Sequence, residues 1–132
     1  MEPVKSHPLR AFVSFIVTFL VVDAIWIGLA GLKLYENQIG HLLAEKPNML
    51  VAGLFYLGYA AGSVKLVVAS AESIKQILFN GAILGSMAYG TYAVTNYAML
   101  EGWTRELFII DTLWGAFITS ISSVVAYWFY RR

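Results

Sequence analysis

The sequence predicts an all-α integral membrane protein, a four-helix bundle with a short amphipathic segment on the outer side between the first two spans. Three observations carry this expectation. Of 132 residues, 59% are apolar and 13% charged, and the mean hydropathy is +0.68, whereas about a quarter of the residues of an ordinary soluble domain are charged. Four stretches supply the roughly 20 mostly apolar residues that a helix needs to cross a hydrocarbon core of about 30 Å. None shows the alternation of a barrel strand, and open strands are excluded because lipid cannot satisfy their edges.

The spans are expected near Leu9–Gly31, Met49–Ala71, Gln76–Leu100 and Leu107–Tyr130. The first follows Lys5 and Arg10, as a secretion signal would. Its apolar run exceeds the roughly 7–15 residues of a signal core, however, and carries Asp23 and Trp26 in place of a small-residue cleavage site, so it reads as retained. After it, Leu32, Tyr35, Ile39, Leu42 and Leu43 recur at helical spacing beside Glu36, Asn37, His41, Glu45 and Lys46. That pattern suits an amphipathic helix on the outer surface, either an interfacial anchor or a lid over a pocket. Pro47 then restarts the chain. Lys65 falls near the cytoplasmic end of the second span, where its stem can carry the ammonium to the headgroups.

No linker or tandem repeat divides the chain, and residues 1–132 read as one four-span domain. Val22-Asp23-x-x-Trp26 in the first span echoes Ile110-Asp111-x-x-Trp114 in the fourth, on helices that run in opposite directions; two short matches do not define an inverted repeat. Lys5, Arg10, Lys65, Lys75, Arg131 and Arg132 lie toward one side of the membrane, against Lys33, Lys46 and Arg105 toward the other. This imbalance predicts cytoplasmic N- and C-termini. A net charge of +1 and the absence of cysteine remove a nucleic-acid patch, a thiolate metal site and a disulfide scaffold.

Ionisable residues inside a membrane usually face the bundle interior and mark function. Asp23 and Asp111 are the two deep ones, roughly 10 Å and 6 Å below the outer boundary at about 1.5 Å per residue. Tyr89, Tyr92 and Asn96 share a face of the third span, and Tyr56, Tyr59 and Ser63 a face of the second. The candidate ligand-binding or proton-linked set is therefore Asp23, Trp26, Tyr56, Tyr59, Tyr92, Asn96, Asp111 and Trp114. Each Trp follows its Asp by three residues and can wall the carboxyl on one side. The structural alternative is that the aspartates only fix helix register through hydrogen bonds. Nearer the cytoplasm, Gly58-x-x-x-Gly62 and Gly81-x-x-x-Gly85 offer faces for close helix packing, within the chain or in a homodimer.

Tyr89-Gly-Thr-Tyr-Ala-Val-Thr-Asn96, Gly102-Trp103 and Ile110-Asp111-x-x-Trp114-Gly115, with Asp23-x-x-Trp26, the Tyr35–Leu43 segment, Pro47-Asn48 and Phe55-Tyr56-x-x-Tyr59, resemble a bacterial membrane family, domain of unknown function 2177. The resemblance covers nearly the whole chain and implies a compact four-helix protein of the bacterial inner membrane; it brings no catalytic assignment or cofactor. Its motif positions here are Asp23, Trp26, Tyr56, Tyr59, Tyr92, Thr95, Asn96, Trp103, Asp111, Trp114 and Gly115. Relatives often carry an acid where this chain has Ala93.

Three functions fit. A small transporter would exchange a proton on Asp23 or Asp111 for a polar or cationic solute. A lipid- or isoprenoid-modifying enzyme would use the aspartates as an acid/base or magnesium-binding pair. His7 and His41 both lie outside the spans, though, and no G-x-S-x-G elbow or phosphate-cradling loop is present, which weighs against an enzyme. A ligand-binding or accessory subunit would hold a small molecule or another helix in the same cluster. No cofactor is expected, and the lipid bilayer is the partner common to all three.

Overall fold

A computed structural model describes residues 6–131. Lys5 and Arg132, two of the cations used for orientation, lie outside the described residues. The described residues form five α-helices: α1 (Pro8–Trp26), α2 (Leu32–Ile39), α3 (Met49–Ser63), α4 (Ile74–Met99) and α5 (Arg105–Arg131). π-helical turns at Ile27–Gly31 and Val64–Val68 carry α1 into α2 and extend α3. Four continuous helical segments result, Pro8–Leu42, Met49–Val68, Ile74–Met99 and Arg105–Arg131, each long and apolar enough to cross a membrane. The described residues include no strand, as lipid requires of a chain that does not close a barrel.

Local chemistry sets most helix starts. Pro8 occupies the first turn of α1, where its missing N–H has no partner to lose. Asn48 accepts a hydrogen bond from the Val51 N–H at 3.2 Å. Ser73 accepts one from the Gln76 N–H at 3.1 Å, while the Gln76 side chain accepts from the Glu72 N–H at 2.7 Å. Thr104 accepts from the Leu107 N–H at 3.1 Å and so opens α5. Each cap satisfies an amide that the helix itself leaves free. Gly102, at φ +92°, makes the left-handed turn between α4 and α5.

The first helix departs from expectation. It does not stop at Gly31 but runs on to Leu42. The π-helical turn keeps the backbone bonded across Gly28 and Gly31, so neither glycine acts as a terminator. The amphipathic segment is therefore joined to the first span without a break, and α2 docks against α5 instead of lying free on the bilayer.

α5 is the post on which the other helices pack. α1 runs antiparallel to it: the His7 N–H donates to the Tyr130 carbonyl at 2.9 Å, and the Trp114 indole donates to Asp23 at 3.2 Å. The two pairs are sixteen residues apart on both helices, so one register holds over that length. α3 runs parallel to α5, with Tyr59 bonded to Thr119 at 2.6 Å and the Ala71 carbonyl bonded to Arg131 at 3.1 Å, twelve residues on along each chain segment. α4 is antiparallel and closest of all. A methyl group at Gly81 would come within 2.9 Å of the Ser120 Cα, and one at Gly85 would enter the Gly115 carbonyl.

The main core joins Phe15, Phe19, Ala60, Val64, Val68, Ile118 and Ala126, with Tyr56, Tyr59, Tyr89 and Trp114 packed around it. Leu9, Val21, Leu29, Leu54, Phe79 and Leu113 are among the large apolar side chains left exposed. In a membrane this is the face offered to lipid, since lipid tails are as apolar as the side chains.

Candidate functional site

The half of the bundle away from the described chain ends holds both intramembrane aspartates. The register of α1 against α5 brings the two Asp-x-x-Trp motifs side by side. Asp23 accepts a hydrogen bond from the Trp114 indole at 3.2 Å, and Trp26 stacks on Trp114 with ring centroids 5.0 Å apart and planes at 22°. The motifs thus interlock across two antiparallel helices. A symmetrical arrangement would have Trp26 serve Asp111. Instead Trp26 lies over Gly31, where an added methyl would meet its indole nitrogen at 2.7 Å.

Asp111 is served by Tyr35, whose hydroxyl donates to its Oδ1. Beyond Asp23–Trp114, twelve further residues of a straight α1 would place Tyr35 level with Gly102. It reaches Asp111 instead, nine residues farther along α5, an offset of roughly 13 Å at 1.5 Å per residue. The Tyr side chain points back toward the helix N-terminus and covers part of that distance; the rest requires α2 to incline across α5. A second bond from α2, Gln38 to Glu106 at 2.7 Å, and the donation of the Thr104 hydroxyl to Gln38 hold it there. Ile39, Trp103 and Leu107 form a small buried cluster beneath α2, flanked by Leu34 and Tyr35. Asp111 is only 4% exposed, and its Oδ2 is buried with no hydrogen-bond partner.

Tyr89 lies near both carboxyls without a hydrogen bond to either. It fits over Gly115, where a side chain would strike its ring, and it lies within electrostatic reach of both Asp23 and Asp111. Tyr56 is within reach of Asp23 and packs on Phe19 at 5.6 Å. Tyr92 is within reach of Asp111 and hydrogen-bonded with Asn96, and it meets Trp103 edge-on at 5.5 Å. Tyr59 lies deeper and is bonded to Thr119.

Of the candidate residues, Asp23, Trp26, Tyr56 and Trp114 gather at one carboxyl and Tyr92 stands by the other. Asn96 meets Tyr92, not a carboxyl, and Tyr59 belongs to the core below. The aspartates take their hydrogen bonds from different helices. Tyr35 and Tyr89 are the residues that the candidate set omits. Tyr35 is the one residue on the apolar stripe of α2 with a hydroxyl to give, and that is the signal that could have found it. Tyr89 already shares a helical face with Tyr92. Ala93 is fully buried, three residues beyond Gly90, which faces Thr112. An acid at that position in a relative would thus stand on the wall of α4 that meets α5.

The glycine faces part company. Gly81 and Gly85 are used up inside the chain by α5, whereas Gly58 and Gly62 face open space. Between α3 and α4 lies a cleft of about 340 Å³ lined by Phe55, Tyr56, Ala88, Tyr89 and Tyr92. Two larger apolar grooves lie toward the chain ends, one of about 830 Å³ past Phe12, Val64 and Lys65 and one of about 630 Å³ past Val13, Val17 and Phe129.

Among the described residues no group of three or more His, Cys, Asp or Glu converges in a way that could hold a metal ion. The chemistry on offer is that of two carboxyls, several phenols and two indoles: proton exchange, hydrogen bonding and the holding of positive charge. No curated protein and no solved structure matches the chain. The family model described as "Predicted membrane protein (DUF2177)" matches residues 9–128, and this four-span helical chain belongs to that family.

Proposed function

We propose that the protein binds a small molecule at the pocket of Asp23 and Asp111, exchanging it for a proton, and that this exchange serves transport of the molecule. One observation carries the reading: a nearly fully buried carboxyl, Asp111, has one oxygen bonded to Tyr35 and the other with no partner. A buried carboxylate oxygen without a donor is costly. A proton lowers that cost by removing the charge, and a ligand donor lowers it further by supplying the missing hydrogen bond, so the site favours one or the other. In this reading Trp26, Tyr56 and Trp114 serve the Asp23 end of the site and Tyr92 the Asp111 end, with Asn96 holding Tyr92 and Tyr59 supporting from below. The excess of Lys and Arg toward the chain ends supports cytoplasmic termini in a bacterial inner membrane. The exposed Gly58 and Gly62 face suits a homodimer, and nothing in the charge distribution favours nucleic acid.

The test is infrared difference spectroscopy on purified protein, with Asp23→Asn and Asp111→Asn to assign the carboxyl bands. The expected result is a carboxyl band that titrates across the physiological range, shifts on addition of an organic ammonium such as choline, and is lost in one of the two variants. Carboxyls silent to both pH and the added solute would return the cluster to a packing role and overturn the proposal.

A further inference from the structure

The cleft beside Tyr56 and Tyr89 says where the ligand enters and what kind of molecule it is; this step rests on the two-aspartate pocket proposed above. α3 and α4 form a hairpin that is closed at one end only. Val67, Ala71 and Ile77 pack together at the turn, with Leu84 against them, and α4 meets the second span chiefly through the π-helical stretch Val64–Val68. Away from the turn the two helices separate, and the 340 Å³ cleft occupies the gap. Its volume lies within the range of small-molecule pockets, roughly 300–1,000 Å³.

Two features of the gap matter together. It lies between two membrane-spanning helices, so it opens sideways to lipid. Its inner wall is Tyr56 and Tyr89, and both are within electrostatic reach of Asp23; Tyr89 and Tyr92 are within reach of Asp111. The cleft thus shares its tyrosine wall with both carboxyls, neither of which lines it directly. No Lys, Arg or His lines it, and among the described residues neither aspartate has a cationic partner. The surface presented to an entering molecule is therefore apolar at Phe55 and Ala88, rich in aromatic faces, and backed by two acids. Aromatic faces and carboxyls attract the same thing, a weakly hydrated organic cation. A phosphate or carboxylate headgroup would find no counter-charge there.

We propose that the α3–α4 gap is a lateral portal through which a membrane-partitioned cation, an amphiphilic amine or quaternary ammonium, reaches Asp23 and Asp111 from the bilayer. The positive group exchanges with the proton at the carboxyls, and the apolar body stays between Phe55 and Ala88.

The probe is tetraphenylphosphonium, a lipophilic cation, measured by equilibrium binding to the full chain in nanodiscs of zwitterionic lipid, with empty discs as background. Saturable binding is expected for the wild type, weakened roughly tenfold or more in Asp23→Asn or Asp111→Asn. Ala88→Trp, which fills the gap, should weaken it to a similar degree, while Phe79→Trp on the exposed face of α4 should leave it unchanged. Should Ala88→Trp fail to fold, Phe55→Trp narrows the same gap from the exposed wall of α3. Tetramethylammonium, which stays in water, should bind weakly. If it binds as well as the lipophilic cation and both ignore the plugged gap, entry is from water; the portal fails and the two-aspartate site stands. If an anionic amphiphile, dodecyl sulfate, competes equally and the Asn variants bind normally, the assignment of a cation is wrong. No binding above background by a folded protein overturns the portal and the ligand class, and the infrared titration then decides separately whether the carboxyls exchange protons.

Discussion

The α4–α5 seam and the α3–α4 gap share a helix and have opposite designs. In the seam, glycine lets backbones approach until Gly85 and Gly115 touch, and Ser120 donates a hydrogen bond to the Leu78 carbonyl at 2.9 Å. In the gap, Phe55 and Tyr56 of α3 and Tyr89 and Tyr92 of α4 line an open cleft. Small residues thus give α4 one immovable neighbour and large aromatic residues give it one loose neighbour. The polar groups follow this division: the carboxyls take their hydrogen bonds from α2 and α5, on the rigid side, while the tyrosines of α3 and α4 face the gap.

The sharpest way to break the comparison is to put side chains on the glycines. Gly85→Leu drives carbon into the backbone of α5, which cannot rotate away, and should cost about 3 kcal/mol in unfolding free energy measured in bicelles or mixed micelles. Gly58→Leu, which meets nothing within 4 Å, should stay within about 0.5 kcal/mol of the wild type. Equal costs at the two positions would show that the seam is no tighter than the surface of α3.

A smaller effect probes the hold of α2 on Asp111. Tyr35→Phe removes the hydroxyl and leaves a buried carboxyl without either partner, for an expected loss of about 1–2 kcal/mol. In an Asp111→Asn background the loss should shrink, because an amide is less costly to leave unpaired than a carboxylate. A double-mutant cycle measures this coupling, and strict additivity would mean that the two side chains do not depend on each other.

The smallest effect belongs to the link between the loosely held α3 and the post. Tyr59→Phe deletes one side of the bond to Thr119, and interhelical bonds of this type in membranes average about 0.6 kcal/mol. A change several times larger would show that Tyr59, not the aromatic packing around Phe19, is what keeps α3 on the bundle.

Much of this architecture was legible in the sequence. Bilayer thickness and the demand that every backbone group be paired leave long apolar runs only one outcome, so the four spans could be placed from hydropathy alone. The repeated Asp-x-x-Trp marks two segments that do meet, but its spacing predicts that each Trp walls its own Asp, whereas Trp114 donates to Asp23 on the other helix and Trp26 stacks on Trp114. Tyr35 was hidden because its role depends on the direction of α2. Period and composition say that a helix is amphipathic; they do not say whether its apolar stripe meets lipid or another helix. The continuation of α1 past Gly31 was hidden for a related reason, since glycine ends a helix only where the backbone has somewhere else to go. The sequence predicts Asn96 beside the carboxyls, but its amide meets Tyr92, one turn back on its own helix.

The π-helical turn at Ile27–Gly31 has a consequence for how this protein can vary. A π turn holds one residue more than the α-helical path between the same two ends. Each residue of an α-helix turns the chain by about 100°, so the surplus residue acts as an angular offset between α1 and α2. Asp23 and Trp26 are phased to α5 on one side of the offset, and Tyr35 and Gln38 on the other. A change of length by a single residue in this stretch leaves the helix continuous while swinging the whole face of α2 away from Asp111. Residue count between Trp26 and Tyr35 is therefore under tighter physical constraint than residue identity, even though most of the side chains between them face outward.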